Sequence, residues 1–257
     1  MPKGAALVTG ASGGIGAELA KLCAADGYDV ILVARSAGKL SELAASLSSA
    51  HRIAARALAA DLNDPAACET IFQQTRGDQV EILINNAGFG LLGPFAETDW
   101  TVEARMLQVN IVALARLTKL FLPAMLKRGS GRILNVASTA GFVPGPFMAM
   151  YYASKAFVVS FSHAVANEVK GSGVTLTVLC PGPTATGFSE AAGTSGSKLF
   201  QGPAMSAADV ARDGYRAMMA GKVEVISGSR NRAMMLGTRL APRTMLAQIA
   251  RRLNSSA

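Results

Sequence analysis

The segment YYASKAF, which begins at Tyr151, holds a phenol and an amine whose spacing could support acid–base chemistry. Lys155 follows Tyr151 by four residues, so the two side chains share one helix face, whereas Tyr152 is turned about 100° away. Ionising a phenol near neutral pH costs roughly 4 kcal/mol, and an ammonium about 4 Å away offers on the order of 4 kcal/mol. The pair therefore predicts that Tyr151, and not Tyr152, exchanges a proton with a substrate oxygen.

Two further polar side chains occur in segments that otherwise read as apolar. Ser138 follows an apolar strand in NVASTAG, where its hydroxyl could hold a substrate carbonyl. Asn110 lies inside a long helical pattern, although asparagine is a poor residue for a helix interior. A functional amide and a satisfied core amide are both open interpretations of Asn110.

A glycine-rich turn, VTGASGGIGAELA, joins the first apolar run to the first helical pattern. A helix N-terminus offers unpaired N–H groups and a partial positive charge, and glycine lets a phosphate approach the backbone. The spacing of Gly10, Gly14 and Gly16 differs from the common G-x-G-x-x-G dinucleotide pattern. It predicts a nucleotide phosphate site, with a plain glycine turn as the alternative.

The end of the second strand, ILVARSAGK, lacks the carboxylate that would hold a ribose 2′-hydroxyl. Arg35 and Ser36 follow Ala34 there instead. A guanidinium can bind a 2′-phosphate bidentately, whereas a carboxylate would repel it. The sequence therefore predicts NADP(H) in preference to NAD(H), unless Arg35 is only a solvated residue at the start of the next helix.

These residues need a scaffold that brings distant segments together. Runs of valine, isoleucine and leucine alternate with amphipathic helical patterns along most of the chain. The alternation predicts a Rossmann-type, doubly wound α/β fold with a parallel sheet of about seven strands and helices on both faces. Long helices are expected around residues 102–127 and 151–170. We expect a single catalytic domain over residues 1–229.

Composition excludes several other classes of protein. Charged residues make up only 16% of the chain, so we expect surface to be buried between subunits of a homodimer or homotetramer. Three cysteines without a CxxC pair and two distant histidines predict neither a disulfide framework nor a metal site. The N-terminus lacks a signal-peptide pattern and no apolar run of membrane-spanning length is expected, so we predict a soluble cytoplasmic protein.

Several motifs in order, TGASGGIG, NNAG at 85–88, Asn110, Ser138, YYASK and PGPTATG, resemble the short-chain dehydrogenase/reductase family in its short single-domain form. The resemblance covers about residues 5–228, and finer details are most similar to a bacterial subgroup often labelled DltE-like. It implies hydride transfer between NADP(H) and a carbonyl or alcohol carbon. Tyr151 would be the proton donor or base, Lys155 would lower its pKa and bind the nicotinamide ribose, Ser138 would orient the substrate oxygen, and Asn110 would hold a relay water.

The resemblance also implies a cofactor site. Asp61 and Leu62 would lie at adenine, and Thr184 and Thr186 would meet the nicotinamide carboxamide and the phosphates. Gly13 is a departure, because many NADP-preferring relatives have a basic residue there, and the NADP(H) prediction therefore depends on Arg35. The full implied set is Gly10, Ser12, Gly13, Gly14, Ile15, Gly16, Arg35, Ser36, Asp61, Leu62, Asn86, Ala87, Gly88, Tyr151, Lys155, Pro181, Gly182, Thr184 and Thr186.

The segment STAGFVPGPFMAMYY carries no charged side chain from Ser138 to Tyr152. It predicts a small-molecule substrate that is an uncharged, largely apolar ketone or aldehyde, although a buried loop would look the same. The expected apolar walls are Phe142, Phe147, Met148 and Met150. The segment 184–206 is predicted to close over the substrate with Phe188 and Phe200 as anchors, or to be a plain surface excursion.

The C-terminal segment 230–257 is basic and plausibly helical, with six arginines and no acidic residue. The preceding 229 residues hold the other 19 of the 25 basic groups and all 17 acidic groups. The tail is a solvated end, a subunit contact, or a weak contact with an anionic membrane surface. No aromatic residues alternate with the arginines, so nucleic acid is not predicted as a partner.

Two other functions stay open. A non-catalytic NADP-binding or sensing protein on the same fold would usually have lost part of the catalytic set, yet Asn110, Ser138, Tyr151 and Lys155 are all present. A sugar-nucleotide epimerase-like enzyme uses related chemistry, but those relatives usually have a different glycine spacing and a larger C-terminal domain.

Overall fold

The computed structural model describes residues 3–193, 204–238 and 240–255. Its strands are β1 (Ala5–Thr9), β2 (Asp29–Ala34), β3 (Ala55–Ala59), β4 (Val80–Asn85), β5 (Gly131–Val136), β6 (Val174–Cys180), β7 (Thr184–Ala185), β8 (Met205–Ser206) and β9 (Glu224–Ile226). Seven of them form a parallel sheet in the order β3-β2-β1-β4-β5-β6-β9, and β7 pairs with β8. The predicted seven-stranded Rossmann-type sheet is confirmed.

Helices cover both faces of this sheet, as predicted. They are α1 (Gly14–Ala25), α2 (Ala37–His51), α3 (Ala67–Gln74), α4 (Trp100–Leu107), α5 (Leu114–Arg128), α6 (Ala149–Glu168), α7 (Phe188–Ala191), α8 (Ala207–Met219), α9 (Ser229–Thr238) and α10 (Arg243–Asn254). A π-helical segment, Gln108–Ala113, joins α4 to α5, and Thr139–Phe142 is a 3-10 turn.

The strand order explains where a ligand can bind. After β3 the chain returns across the sheet to β4, which pairs with β1 on the side opposite β2. At such a switch point the loops that leave the strands diverge and open a crevice at the carboxyl ends. The crevice rests on a sheet packed on both faces: Val8 belongs to one buried cluster and Leu7 to the other.

The long helix is longer than the sequence pattern predicts and runs from Trp100 to Arg128. By length and composition it could cross a membrane, which corrects the expectation that no apolar run of that length occurs. Leu117, Phe121 and Met125 on this helix are buried in the core beneath the sheet. Of its most apolar 18-residue stretch, 44% is buried within the structure.

A buried polar ladder fastens α6 to the sheet. Asn85 Nδ2 donates to Asn135 Oδ1 at 2.9 Å, and Asn135 Nδ2 donates to Ser162 Oγ at 3.0 Å. Asn85 Nδ2 also donates to Thr118 Oγ1 on α5. Buried polar groups of this kind specify one arrangement because an unpaired partner is costly. The ladder sets the position of α6, the helix that carries Tyr151.

The basic C-terminal segment is helical, and α10 lies against α6 and the loop before it. Asn254, the last residue of α10, is 1% exposed. Leu246 and Ala250 on the same helix are buried as well. Pro242, which has no N–H to donate, immediately precedes α10 and separates it from α9.

Candidate active site

A cavity of about 810 Å³ opens at the carboxyl ends of the central strands. It extends from the end of β2, past α6, to the two C-terminal helices. Nineteen of the predicted residues line it: Gly10, Ser12, Gly13, Gly14, Ile15, Arg35, Ser36, Asp61, Leu62, Asn86, Ala87, Gly88, Ser138, Tyr151, Lys155, Pro181, Gly182, Thr184 and Thr186. Gly16 and Asn110 are not among the lining residues.

The glycines of the turn after β1 have two different roles: one allows close packing, and another leaves open space at the helix N-terminus. A side chain at Gly16 would overlap the Asn86 amide and the Gly10 carbonyl, so this glycine lets α1 approach the sheet. Gly16 does not line the cavity, and its contact with the cofactor stays a prediction. At Gly13 an added Cβ would meet nothing within 4 Å, which leaves open space at the N-terminus of α1. Gly10 has φ +65, a conformation that favours glycine.

Asn86 holds this turn in place from the neighbouring strand. Its Nδ2 donates to Thr9 O at 3.0 Å and to Gly10 O at 3.2 Å. Thr9 Oγ1 in turn accepts from the backbone N–H groups of Asn86 and Ala87. These reciprocal bonds tie the ends of β1 and β4 together beneath the cavity, so Asn86 supports the phosphate turn as well as lining it.

A pair of cations lines the cavity beyond the end of β2. Arg35 and Lys39 are both exposed, and within the described ranges neither forms a salt bridge. Ser36 precedes the first residue of α2, so an anion here would also meet a helix N-terminus. Sequence reasoning missed Lys39, although its spacing four residues after Arg35 was a readable signal.

Tyr151 and Lys155 lie together in the wall of the cavity. Lys155 Nζ is 5.9 Å from the centre of the Tyr151 ring and donates to Val136 O at 3.0 Å. The Tyr151 hydroxyl hydrogen-bonds the Ser138 side chain. Ser138 Oγ accepts from Ala140 N at 3.1 Å, which fixes this hydroxyl at the start of the 3-10 turn. The chain thus brings Ser138, Tyr151 and Lys155 into one site from β5 and α6.

Burial sets the charge states of this pair. It raises the pKa of the Tyr151 phenol well above its usual range, and the hydrogen bond from Ser138 offsets this in part. Burial also lowers the pKa of the Lys155 amine to about 8. The sequence estimate, in which the ammonium alone nearly offsets phenol ionisation, is therefore wrong for the protein without ligand. Tyr151 is a neutral phenol, which is the form that donates a proton.

Asn110 lies in the π-helical segment, and both its amide nitrogen and its amide oxygen are hydrogen-bonded. Its Oδ1 accepts from Phe89 N at 3.1 Å, and its Nδ2 donates to Phe89 O and to Ser154 Oγ, both at 3.0 Å. It is 1% exposed. An added Cβ on Gly88 would lie 2.9 Å from Asn110 Oδ1 and 3.4 Å from Lys155 Nζ. The amide therefore holds the loop after β4 against α6, directly behind the lysine.

Tyr152, the second tyrosine of YYASK, has a different hydrogen-bond partner from Tyr151. Tyr152 OH donates to Asn254 Oδ1 of α10 at 3.2 Å. Its ring meets the Tyr151 ring edge to face, with centroids 6.0 Å apart. The helical spacing thus separates the tyrosines: Tyr151 meets Ser138 and Lys155, whereas the Tyr152 hydroxyl faces the C-terminal helix.

The apolar wall differs from the sequence prediction. Of the four expected residues only Met148 lines the cavity, because Phe142 packs against the core and Phe147 lies under Arg251. Met150 does not line it either. Phe188 does, with its ring 5.4 Å from that of Tyr151, and Phe200 lies outside the described residues. Sequence reasoning missed the remaining apolar lining, which includes Val143, Met234, Met235, Leu246, Ile249, Ala250 and Leu253.

No group of three potential metal-binding side chains occurs in the part of the chain that the structure describes. All three cysteines are buried and unpaired. Burial raises the thiol pKa of Cys23, Cys68 and Cys180. Near Ser138, the groups of the cavity lining that could transfer a proton are the Tyr151 phenol and the Lys155 amine.

Comparison with curated proteins returns reductases. A very-long-chain 3-oxoacyl-CoA reductase of Phaeosphaeria nodorum is 41% identical over 180 residues, which are 67% of this chain and 53% of the relative. Ketoacyl reductase HetN of Nostoc sp. is 35% identical over 178 residues, which are 68% of this chain and 62% of the relative. The matched part thus spans about half the length of the first of these relatives.

Comparison with solved structures returns the same architecture. A short-chain dehydrogenase from Sphingobium yanoikuyae in complex with NADPH superposes with a TM-score of 0.83 at 32% identity. The superposition covers 93% of this chain and 94% of that structure. The family model described as short chain dehydrogenase matches residues 4–195. The chain therefore belongs to the short-chain dehydrogenase family, a family of nucleotide-binding oxidoreductases.

Proposed function

We propose that this protein is an NADPH-dependent reductase of ketones on largely apolar substrates, with Tyr151 as the proton donor. The observation that carries the proposal is the buried, neutral Tyr151 phenol, hydrogen-bonded to Ser138 and beside Lys155. The three groups line the same cavity as the glycine turn after β1 and Arg35 after β2. Reduction of a ketone needs an acid at the carbonyl oxygen, and a neutral phenol in contact with a hydroxyl supplies one.

The residues present fit NADP(H). Gly13 leaves open space at a helix N-terminus, where backbone N–H groups bind phosphate. Arg35 and Lys39 supply two cations at the end of β2, where a carboxylate would be expected for NAD. The NADPH complex of the Sphingobium relative supports the same choice. We therefore propose that Arg35 and Lys39 bind the 2′-phosphate.

In the proposed mechanism, the cofactor supplies the hydride, and side chains of the protein bind the carbonyl oxygen and supply the proton. When bound, NADPH supplies the hydride for the carbonyl carbon. The Ser138 and Tyr151 hydroxyls hold the carbonyl oxygen, and Tyr151 gives it a proton as negative charge develops there. The Lys155 ammonium stabilises the tyrosinate left behind, and this interaction is stronger in a cavity that excludes water. Asn110 positions the loop beside Lys155 and does not itself meet the substrate.

The substrate is proposed to be a ketone that carries an apolar chain. The cavity beyond Tyr151 is lined by Val143, Met148 and Phe188, none of which would neutralise a carboxylate near the carbonyl. The relatives named as 3-oxoacyl-CoA and ketoacyl reductases act, by those names, on ketones of acyl chains. A 3-oxoacyl thioester is therefore the substrate class to test first.

The test is loss of NADPH absorbance with 3-oxoacyl thioesters, 2-alkanones and small keto acids, with NADH in parallel. We expect turnover of the first two groups and its loss in Tyr151→Phe, with NADPH affinity retained. Tyr28→Phe is the matched control, because Tyr28 is equally buried but does not line the cavity. Activity restricted to small keto acids, or full activity of Tyr151→Phe, would overturn the proposal. NADPH binding by wild type without turnover of any carbonyl would favour a sensing protein.

The partners proposed for the surface are further copies of this chain and, weakly, an anionic membrane. Exposed apolar side chains on the tail include Leu236, Leu240 and Met245, and no acidic residue lies among the tail arginines. Sedimentation would report the oligomer, and flotation with anionic vesicles would report lipid contact. The Arg243→Gln/Arg252→Gln double variant is preferable to deletion, because α10 also lines the cavity. A cytoplasmic location stays a prediction, to be checked by cell fractionation.

A further inference from the structure

The cavity continues past Tyr151 into an apolar compartment walled by the two C-terminal helices. We call this part the distal compartment. Its walls are Met235 of α9, Leu246, Ile249, Ala250 and Leu253 of α10, and Val143, Met148 and Phe188 of the catalytic domain. The α10 residues recur at spacings of three and four, so one stripe of this helix faces the cavity. Because Ala250 has the smallest side chain of the four, the compartment reaches deepest at its position.

The two helices that wall the distal compartment lie outside the region that the family model matches. The family model matches residues 4–195, whereas α9 begins at Ser229 and α10 ends at Asn254. The phosphate turn, Ser138, Tyr151 and Lys155 all lie within the matched region. The C-terminal helices therefore supply cavity lining that the family model does not cover.

A buried bridge holds α10 in place. Tyr152 OH donates to Asn254 Oδ1 at 3.2 Å, and Asn254 Nδ2 donates to Pro146 O at 2.9 Å. Asn254 is 1% exposed and Tyr152 is 7% exposed. Asn254 thus uses both ends of its amide, one on α6 and one on the loop before it. We call this the Tyr152–Asn254 bridge.

Two further contacts join the same elements. The Arg251 guanidinium lies over the Phe147 ring, 4.7 Å from its centre, which is within the range of a cation–π interaction. Phe147 has φ +66, an uncommon conformation for a residue with a side chain. A side chain at Gly145 would overlap the Tyr152 ring, so glycine lets the loop close on it. The loop 145–147 is therefore shaped to receive the end of α10.

We propose that the distal compartment binds the alkyl or acyl chain of the ketone substrate, and that the Tyr152–Asn254 bridge fixes its outer wall. The inference rests on the proposed function for its carbonyl chemistry. The compartment walls contain no charged side chain, so the ligand part that they contact is apolar. The bridge joins this wall to α6 one residue after Tyr151, so the chain and the carbonyl are positioned by the same helix. Asn254 is a positioning residue that acts through α10.

Chain length is the variable that tests this proposal. Burying one methylene is worth about 0.8 kcal/mol, so KM should fall about fourfold for each carbon added to a 2-alkanone until the compartment is full. Ala250→Leu should fill the space in front of residue 250. The gain in affinity with chain length should then stop at a shorter ketone. Gln248→Leu is the matched control, since it adds leucine to an exposed position of α10 that does not line the cavity.

The bridge has its own readout. Asn254→Ala removes both hydrogen bonds of the amide, and we expect the KM of long ketones to rise about tenfold more than that of short ketones. A merely structural loss of folded protein would lower kcat for all lengths alike and leave the ratio of KM values unchanged. Tyr152→Phe removes one of the two bonds and should shift the ratio in the same direction, but less.

Binding without turnover separates this proposal from the proposed function. An uncharged fluorescent probe, the methyl ester of cis-parinaric acid, is bound to the NADP⁺-saturated full chain and displaced by 2-alkanones of increasing length. Affinity that rises with length in wild type and stops earlier in Ala250→Leu than in Gln248→Leu supports the compartment, even if no ketone is reduced. Affinity independent of length, or identical behaviour of the two leucine variants, overturns it.

Discussion

Lys155 Nζ lies 5.9 Å from the centre of the Tyr151 ring, yet its hydrogen-bond partner among the described residues is the Val136 carbonyl at 3.0 Å. The amine is thus bonded to the end of β5 while its positive charge lies beside the phenol. Burial of both groups opposes the charge on each of them. A bound ligand that adds partners and excludes water would change this balance, so the pair is sensitive to what occupies the cavity.

The first prediction concerns the pH dependence of stability. The Lys155 pKa is about 8 in the folded protein against the ordinary value of 10.5. Between these values the unfolded chain holds a proton that the folded chain has released, so Lys155 makes stability rise with pH. We expect the unfolding free energy of wild type relative to Lys155→Met to increase by about 2 to 3 kcal/mol from pH 7 to pH 10.

Urea unfolding of both proteins across this range measures the difference. Because the cysteines and tyrosines are common to both, their titration cancels in the comparison. Lys119→Met, which removes an exposed lysine of α5, is the control and should show no such trend. If the difference in unfolding free energy does not change with pH, the pKa of the Lys155 amine is not lowered in the folded protein.

The second prediction concerns cofactor preference. Arg35→Asp should weaken NADPH binding about 10- to 100-fold, because a charge-assisted contact is replaced by repulsion, and should favour NADH. Lys39→Glu should act in the same direction. Lys119→Glu makes the same change of net charge on a helix surface that does not line the cavity. Fluorescence titration with both cofactors measures the ratio, and equal ratios in Arg35→Asp and Lys119→Glu would exclude a 2′-phosphate contact at Arg35.

The third prediction concerns Asn110. Asn110→Ala leaves the Phe89 backbone groups and Ser154 Oγ without their partner, and we expect a loss of about 2 to 4 kcal/mol of stability. Asn167→Ala removes an exposed asparagine from α6 and should cost less than about 0.5 kcal/mol. Denaturant unfolding compares the two. Equal stabilities would show that the amide bonds do not hold the loop after β4.

The fourth prediction separates two glycines of the same turn. Gly16→Ala forces a Cβ into the Asn86 amide and the Gly10 carbonyl, so we expect a loss of at least about 2 kcal/mol. The Cβ of Gly13→Ala would meet nothing within 4 Å, so its free energy of unfolding should lie within about 0.5 kcal/mol of the wild-type value. The same Cβ would narrow the space proposed for phosphate. Thermal unfolding with and without NADPH distinguishes these effects. Reduced stabilisation by NADPH in Gly13→Ala is the expected signature of the phosphate site.

The sequence by itself determined the seven-stranded sheet and the helices on its two faces, because these strands and helices follow from local periodicities. It also brought Tyr151 and Lys155 to one helix face, since residues four apart are neighbours on any helix. The glycine turn and the absence of a carboxylate after β2 were readable for the same reason, as they follow the ends of recognisable strands.

The tertiary structure decided what lies around those residues. No local pattern could show that Tyr152 reaches Asn254 across about 100 residues of chain or that Gly16 faces the sheet. Nor could it show that the amide of Asn110 bonds both the loop after β4 and Ser154 of α6. The charge states of Tyr151 and Lys155 were likewise decided there. Desolvation depends on every element packed around a group, and spacing along one helix carries no information about it.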